Sequence, residues 1–432
     1  MSNVFELHKL SDPIHQYVRL GHTGHKHLQE LHSAGQIQLD SLVFDASHIV
    51  DQEEVSKHFH GKGVEIILDP KTAEMEYPAS VNTSVNTSVN NLPWAAKGTT
   101  QSFGDWQSQN RYEKSQKITE FVNSAGVDAV LSPSHLITQQ NSPWLRSDVE
   151  HVHELREVFD QNGLGGVRID YHLMTSLQVL GDADYMKVVV RLLNEAPIDN
   201  IWLRVGNFGM GGSVTATIHF IEACWALSEL QKPIIADNVG GIAGLVLAGF
   251  GAAGGVSAGI GSKEKFSTSS WKKPTPRGQS FSPPKRVYVP QLDMYLRTEQ
   301  VDTLLKTKNA RGFVMCKDKH CCRDADDLFK SEKRHALVQS LRQLKELEKV
   351  PNLRRPTHIV EQVIDSTNRD LRKVSRLKIE DPTLLKKVHK KSADIDRLQQ
   401  ALEKLISKNS DGMPKVKPPV TKSQNSQLGM EE

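Results

Sequence analysis

The sequence predicts an α/β fold, a (β/α)8 barrel of the TIM type with a helical C-terminal extension. Short apolar runs alternate with helical patterns over about 270 residues, and eight such runs can be counted. Several runs are apolar throughout, which is typical of parallel strands buried on both faces. No G-x-G-x-x-G turn follows the first run, so the alternation favours a closed barrel over a doubly wound open sheet.

The clearest part of this pattern lies between residues 232 and 262. The apolar run 233–236 ends at Asp237, and the following residues 240–250 are Gly-rich and apolar, as in a buried helix. A second apolar run, 255–260, ends in another Gly-rich turn. Two strands joined by a buried crossover helix are the repeating unit of a parallel sheet.

The remaining elements can be assigned in order along the chain. Residues 1–40 carry an apolar stripe at helical spacing and are predicted to form an N-terminal helical segment. The barrel is expected over residues 41–310, and an eighth strand is expected at 286–293. The other five strands are predicted at 41–47, 64–72, 129–135, 166–172 and 200–209.

Periodicity disappears between residues 73 and 114, which we interpret as a loop insertion. Its aromatic side chains allow two interpretations: a lid or stacking surface for a planar substrate, or simple anchoring of a long loop. These side chains are Trp94, Phe103, Trp106 and Tyr112.

Ionisable residues follow most of the predicted strands, and the strand ends of a barrel converge at one mouth. So many ionisable groups at one mouth favour an enzyme. The predicted catalytic residues are Asp170, Asp237, Asp69 and His172. The predicted substrate-binding residues include a Gly-rich turn suited to phosphate, and the set is Asp45, His135, Arg204, Asn207, Gly259, Gly261, Ser262 and Lys263. Two alternatives stay open: the early aspartates could cap helices, and the glycines could serve close packing.

Three cysteines and one histidine follow the predicted barrel, in the region 311–350. Cys316, Cys321, Cys322 and His335 form the ligand set of a closed tetrahedral zinc site, which would be structural because no coordination position stays open. Free thiols are the alternative. Clustered cysteines and the absence of a signal peptide at the N-terminus predict a reducing compartment, the cytoplasm, and no run predicts a membrane span.

With its barrel and these four residues, the chain resembles the tRNA-guanine transglycosylase superfamily. The resemblance implies that two mouth aspartates act as nucleophile and acid/base while a purine base on nucleic acid is exchanged. The spacing here is C-x4-C-C-x12-H, whereas the family has C-x-C-x2-C and a more distant histidine. The family's Ser-Gly-Gly-Phe-Gln and Gly-Gly-Leu motifs are absent. Aspartate roles are therefore assigned from position alone: Asp170 or Asp237 as nucleophile, with Arg204 and Asn207 binding the base or a phosphate.

Two other functions fit the same sequence. The first is a barrel lyase, aldolase or synthase that acts on a small phosphorylated metabolite held by the Gly-rich turn. The second is a barrel without catalytic activity that serves as a scaffold.

The C-terminal region is basic, with 17 Lys and Arg against 11 Asp and Glu from residue 351 onward. Residues 351–411 are predicted to form helices and residues 412–432 a disordered tail. A short heptad pattern predicts packing on the barrel or on a second copy, so a homo-oligomer stays open. The lysines of this region either contact nucleic-acid phosphates or form a solvated face; they are Lys386, Lys387, Lys390 and Lys391.

Overall fold

A computed structural model describes residues 11–21, 25–78, 89–261, 264–272, 284–409 and 412–422 of the chain. Eight parallel strands pair in the closed order β1-β2-β3-β4-β6-β7-β8-β9, with β9 returning to β1, which confirms the (β/α)8 barrel. A two-residue strand, β5, extends the sheet beside β6, and β10 and β11 form a separate antiparallel hairpin. The strands are β1 His15–Leu20, β2 Ser41–Asp45, β3 Glu65–Asp69, β4 Ala129–Leu131, β5 Leu136–Ile137, β6 Arg168–Thr175, β7 Ile201–Val205, β8 Ile234–Asp237, β9 Gly255–Gly259, β10 Arg286–Val289 and β11 Met294–Arg297.

Helices cover the outside of the barrel and build the C-terminal region. They are α1 His25–Ser33, α2 Ala46–Ile49, α3 Glu53–His60, α4 Ser108–Ala125, α5 Trp144–Gln161, α6 Leu177–Leu180, α7 Ala183–Asn194, α8 Val214–Leu227, α9 Gly241–Gly249, α10 Ser269–Lys272, α11 Thr298–Lys306, α12 Arg311–Val314, α13 Ala325–Lys330, α14 Glu332–Glu348, α15 Arg355–His358, α16 Asp365–Ser375 and α17 Pro382–Lys408. A π-helical turn, Ile359–Ile364, joins α15 to α16. Short 3-10 helices occur at Thr72–Glu76, Val89–Asn91, Phe103–Trp106, Ser228–Leu230, Pro290–Leu292 and Asn352–Arg354.

The predicted number of barrel strands is correct, but one predicted strand lies outside the barrel and one barrel strand was not predicted. The prediction of helix throughout residues 1–40 fails at β1, which pairs with both β2 and β9. The predicted strand 286–293 lies in the hairpin outside the barrel, so the eight strands span His15 to Gly259 rather than 41–310. Tyr17 and Leu20 are three residues apart, which is also the spacing of an apolar stripe on a helix; both are apolar here because both faces of β1 are buried.

The barrel interior has three layers, which follow from the alternation of side chains along each strand. The middle layer is an apolar cluster, in which the Tyr17 ring meets the Trp202 ring edge-on at 4.8 Å. Two residues further along five strands, the inward-facing side chain is charged, and these charges lie at the carboxyl end of the barrel. The apolar layer comprises Tyr17, Val43, Ile67, Ala129, Leu131, Trp202 and Ile235.

The inserted loop is anchored by its aromatic residues, which favours the second interpretation given above. Trp94 and Trp106 are each 1% exposed, and the Trp94 indole donates a hydrogen bond of 3.1 Å to the Pro70 carbonyl. Phe103 packs edge-on against Trp144. Most of the SVNTSVNTSVN repeat lies outside the described residues.

The C-terminal region packs on the barrel. In α17 the predicted heptad positions Val388, Ile395 and Leu402 are buried, and the helix packs against α8 and α16. The prediction of disorder from residue 412 is wrong for residues 412–422, which we name the C-terminal strap. Val416 and Thr421 of the strap are buried because it lies across the amino end of the barrel. Within the described ranges, no helix combines the length and the apolar character needed to span a membrane.

Candidate active site and metal cluster

Ionisable side chains from six strands meet at the carboxyl end of the barrel. We name this set the mouth cluster; it consists of Arg19, Asp45, Asp69, Lys71, His172, Arg204 and Asp237. Asp69, Asp237, His172, Arg204 and Asp45 were predicted from the sequence to meet here, and the structure brings them together. All seven lie within a network of ion pairs and hydrogen bonds.

Asp237 lies at the centre of the mouth cluster and is 1% exposed. Its carboxylate accepts hydrogen bonds from Arg19 Nε at 2.7 Å, Arg19 Nη2 at 3.0 Å and Arg204 Nε at 2.7 Å. Burial would raise the pKa of Asp237, but Arg19 and Arg204 hold that pKa well below its ordinary value. Asp237 is therefore ionised, and its oxygens are already occupied by guanidinium groups.

Asp69 connects the same two arginines from the opposite side. Arg19 Nη1 lies 2.8 Å and Arg204 Nη2 3.2 Å from Asp69 Oδ2, and the Lys71 backbone N–H donates to Oδ1 at 3.0 Å. Despite its burial, Lys71 and the arginines keep the pKa of Asp69 well below its ordinary value. Asp45 lies 3.6 Å from Arg19 Nη1 and makes no side-chain capping bond to α2, so the capping alternative is wrong for Asp45.

His172 is a neutral imidazole within the mouth cluster. Burial, followed by the nearby Arg204, lowers the pKa of His172 to about 4. Its Nε2 lies 3.1 Å from Asp237 Oδ2, and because an ionised carboxylate only accepts, Nε2 carries the proton. The tautomer leaves Nδ1 as a proton acceptor.

A cavity of about 290 Å³ opens above the mouth cluster, and we name it the mouth cavity. Four cationic side chains line it: Arg19, Lys71, Arg204 and Lys265. Phe266 and Trp271 supply an aromatic wall. A small pocket of about 10 Å³, which we name the deep extension, shares Lys71, Glu74, Arg204 and Trp271 with the lining of the mouth cavity. Asp69, Ser132 and His172 also line it, whereas Asp237 lines neither space. The accessible chemistry is thus cationic at the rim apart from Glu74, which pairs with Lys71, and the Asp69 carboxylate and the His172 imidazole lie at the deep end.

Asp170 does not lie at the mouth, so the prediction that it is a catalytic residue of the mouth is wrong. It precedes His172 by two residues on β6 and therefore lies one layer closer to the amino end. Its carboxylate accepts from Trp202 Nε1 and Asn200 Nδ2, both at 2.9 Å, and Arg168 Nη2 lies 3.5 Å away. It belongs to a lower cluster, which we define as Ser41, Glu65, Arg168, Asp170 and Asn200.

His135 and Asn207 are also separate from the mouth. The His135 ring is buried beside α5, with Nδ1 2.7 Å from Asp148 Oδ1. Asn207 is exposed, and its backbone N–H donates to the Phe266 carbonyl at 2.9 Å. Both were predicted from their positions near strand ends, but each strand end was assigned a few residues too long.

The Gly-rich turn is only partly described. Gly259 pairs with Arg19 across β1 and β9, and Gly261 has a positive φ of 63° and lies against Lys333 of α14. Ser262 and Lys263 lie outside the described residues. The role of this turn in phosphate binding stays a prediction.

Sequence reasoning missed two residues of the mouth cluster, Arg19 and Lys71. Arg19 was missed because β1 was interpreted as helix. The signal was available, because Tyr17-x-Arg19 repeats the apolar-x-charged pattern of Val43-x-Asp45 and Trp202-x-Arg204.

The three cysteines and His335 form a compact buried cluster, as predicted. The four potential ligand atoms lie within 4.8 Å of one another. The Sγ atoms of Cys321 and Cys322 are 3.7 Å apart, and they lie 3.4 Å and 3.3 Å from His335 Nδ1. His335 Nε2 lies 3.0 Å from the Tyr288 carbonyl, which fixes Nε2 as the donor and leaves Nδ1 free for a metal. This cluster could hold a metal ion.

The chain matches no protein-family model and no curated protein. Among solved structures, it is similar to a putative deoxyribose-phosphate aldolase from Coccidioides immitis, with 12% identity, coverage of 58% of this chain and 82% of that chain, and a TM-score of 0.34. It is also similar to a GH26 β-mannanase from Bacteroides ovatus, with 13% identity, coverage of 64% of this chain and 88% of that chain, and a TM-score of 0.35. A third similar structure is a type I 3-dehydroquinate dehydratase from Clostridium difficile, with 11% identity, coverage of 60% of this chain and 90% of that chain, and a TM-score of 0.36. These proteins are enzymes, but TM-scores this low carry no argument about the reaction.

Proposed function

We propose that the chain is a barrel enzyme of the lyase, aldolase or synthase type that acts on a small phosphorylated substrate. The observation that carries this proposal is the lining of the mouth cavity, where four cations surround a space of about 290 Å³. Arg19 and Arg204 line this cavity while the Asp237 carboxylate that holds them does not. Pre-oriented guanidinium groups suit a phosphate because their donors match its oxygens.

Asp69 and His172 are the proton-transfer groups of this proposal. Both line the deep extension, whose volume of about 10 Å³ suits a proton or a water rather than a carbon chain, so the reacting carbon would lie at the floor of the mouth cavity next to them. A Schiff base on Lys71 is disfavoured. Although burial alone would lower the pKa of Lys71, Asp45 and Glu74 raise that pKa above its ordinary value, which keeps the amine protonated. Proton abstraction therefore fits the mouth better than amine chemistry.

Phosphate binding tests the proposal directly. We expect inorganic phosphate to bind the wild-type protein and Lys265→Met to weaken that binding by about fivefold to tenfold, because one exposed cation is lost from the rim. The matched control is Lys386→Met, which removes the same charge from an exposed position on α17. Calorimetric titration of the three proteins measures this. Equal affinities, or no binding to the wild type, would contradict the proposal.

A second candidate function, base exchange of the transglycosylase type, is favoured by the cysteine cluster. A tetrahedral zinc ion with bonds of about 2.3 Å to sulfur and 2.0 Å to nitrogen places two sulfurs about 3.8 Å apart and sulfur about 3.5 Å from nitrogen. The observed 3.7 Å and 3.3–3.4 Å are close to these values. In this proposal zinc is structural and binds Cys316, Cys321, Cys322 and His335, and no step of the reaction passes through it.

For base exchange, Asp69 replaces Asp170 as the candidate nucleophile. It is ionised and lines the deep extension of the mouth cavity, whereas Asp170 lies in the lower cluster. Nucleic-acid phosphates would then contact the exposed lysines of α17, Lys386, Lys387 and Lys390. Lys391 is not available in the same way, because its Nζ lies 2.5 Å from Asp293 Oδ2.

Two measurements separate the candidates. Elemental analysis should find one zinc per chain, which is lost in the Cys321→Ser, Cys322→Ser double variant. Incorporation of labelled guanine into nucleic acid by the wild type, abolished by Asp69→Asn, would favour base exchange over the phosphorylated metabolite. Without incorporation in either DNA or RNA, base exchange is rejected whatever the zinc content.

A further inference from the structure

A second cavity adjoins the mouth cavity, and we name it the side cavity. Its volume is about 590 Å³. The 3-10 helix Thr72–Glu76 lines both spaces, since Glu74 faces the mouth cavity and Glu76 the side cavity. The partition between them is aromatic and apolar: the rings of Tyr77 and Trp271 are 5.3 Å apart, and Leu136 packs in the same cluster. Because Tyr77 lines the side cavity and Trp271 lines the mouth cavity, the two linings meet at this ring pair.

The two cavities differ in charge. The mouth cavity has four cationic side chains, whereas the described lining of the side cavity includes neither Lys nor Arg. The side cavity instead offers a carboxyl group, two side-chain amides, hydroxyls and aromatic rings. Its polar and aromatic lining includes Glu76, Tyr77, Gln139, Asn141, Ser142 and Trp144.

Trp144 is held rigidly at the wall of the side cavity. Its ring stacks on the His135 ring, with centroids 3.6 Å apart and planes at 10°. His135 is fixed in turn by Asp148, which accepts its backbone N–H at 2.9 Å and lies 2.7 Å from its Nδ1. Trp106 closes the assembly edge-on at 4.8 Å from His135. His135 therefore has a role away from the barrel mouth, because it positions the Trp144 ring.

Glu76 combines with Trp144 to form a polar edge beside this aromatic face. The Trp144 side chain hydrogen-bonds the Glu76 carboxyl group, and burial raises the pKa of Glu76. A carboxyl group, amides and hydroxyls beside a fixed indole match a ring that carries hydroxyl groups on its edge and C–H groups on its faces. Small-ligand sites commonly combine such aromatic walls with a few fixed polar groups.

We infer that the side cavity binds the neutral, polyhydroxylated part of the substrate whose phosphate occupies the mouth cavity, so that the substrate class is a sugar phosphate. This inference rests on the proposed function, because it assigns the anionic end to Arg19, Arg204, Lys71 and Lys265. The carboxyl of Glu76 and the Gln139 amide bind sugar hydroxyls, and the part of the buried Trp144 side chain that lines the cavity contacts C–H groups.

Calorimetric titration with inorganic phosphate, D-ribose 5-phosphate and D-glucose 6-phosphate tests this inference. At least one sugar phosphate should bind about tenfold more tightly than inorganic phosphate, as expected from one or two additional hydrogen bonds. Glu76→Ala should remove that advantage while leaving the affinity for inorganic phosphate unchanged. The matched control is Glu120→Ala, at an exposed position of α4, which should retain the advantage.

The outcomes separate this inference from the function on which it rests. If inorganic phosphate does not bind, the proposed function fails. If phosphate binds but neither sugar phosphate binds more tightly, or if Glu76→Ala keeps the full advantage, the side cavity does not recognise a sugar and the inference is overturned alone.

Discussion

The two ends of the barrel carry similar charges but have opposite surroundings. At the carboxyl end, the mouth cluster faces a cavity lined by four cations. At the amino end, the lower cluster is covered by the C-terminal strap, where the Val420 N–H donates to Asn200 Oδ1 and the Lys422 N–H donates to Glu65 Oε1, both at 2.9 Å. The comparison teaches that buried charge alone does not identify a functional site in a barrel. Access from solvent is what makes the mouth cluster, rather than the lower cluster, the candidate site.

Removing Asp237 should have the largest effect on stability, because Arg19 and Arg204 stay charged and buried after their shared carboxylate is lost. Asp237→Ala leaves the buried guanidinium groups of Arg19 and Arg204 short of a partner, and we expect the free energy of unfolding to fall by about 3–5 kcal/mol. Chemical denaturation measures this. The matched control is Asp184→Ala, which breaks an exposed pair with Lys187 and should cost far less. Similar losses for the two variants would show that the mouth cluster is not a stabilising network.

Removing the strap should have the next largest effect and act on the amino end alone. A chain that ends at residue 411 loses the burial of Val416 and uncovers Glu65 and Asn200, which should lower the free energy of unfolding by about 2–3 kcal/mol. A chain that ends at residue 422 keeps the strap and serves as the control. If the shorter chain keeps full stability, the strap does not protect the lower cluster.

The mouth cluster should also make stability depend on pH. The pKa of His172 is about 4 in the folded protein and 6.5 as a reference value, so the unfolded chain binds the proton first as the pH falls. The neutral, buried His172 therefore costs the folded protein no stability above pH 6.5. As the pH falls from 6.5 towards 4, the free energy of unfolding should decrease, by up to about 1.4 kcal/mol per pH unit.

The His172→Asn variant isolates this contribution from that of other groups, such as Glu264, whose pKa burial raises to about 7. The difference in unfolding free energy between wild type and variant should change between pH 6.5 and 4. A constant difference would mean that His172 is not a neutral buried imidazole.

The smallest effect compares the same substitution at the two ends. Asp69→Asn removes a negative charge beside the mouth cavity and should raise the affinity for inorganic phosphate by about threefold to tenfold. Asp170→Asn makes the same change in the lower cluster and should alter that affinity by less than about twofold. Calorimetric titration of both variants with inorganic phosphate measures this difference. Equal changes in affinity for the two variants would contradict the distinction between the two ends of the barrel.

The sequence predicted the barrel and five of the seven residues of the mouth cluster, because apolar strands and the charges that follow them are local patterns. It could not place Asp170 correctly, since a shift of two residues along β6 moves a side chain from one layer to the next. The first strand was missed because it is buried on both faces. The strap was missed because its polar, Pro-containing sequence is typical of disorder, while its order comes from contacts with residues more than 200 positions away.

The side cavity shows a similar limit. His135 was predicted to bind substrate at the mouth, because the sequence does not show that its partner Asp148 and the ring of Trp144 reach it from the next helix. Only the packing of α5 on the barrel brings these three side chains together.

The most direct test of this account is the location of a bound phosphate analogue. A crystal soaked with tungstate, whose anomalous scattering identifies it, should show its strongest protein-bound peak in the mouth cavity between Arg204, Lys71 and Lys265. An empty mouth cavity in a crystal that binds tungstate elsewhere on the barrel would contradict the central claim that the carboxyl end is the functional end.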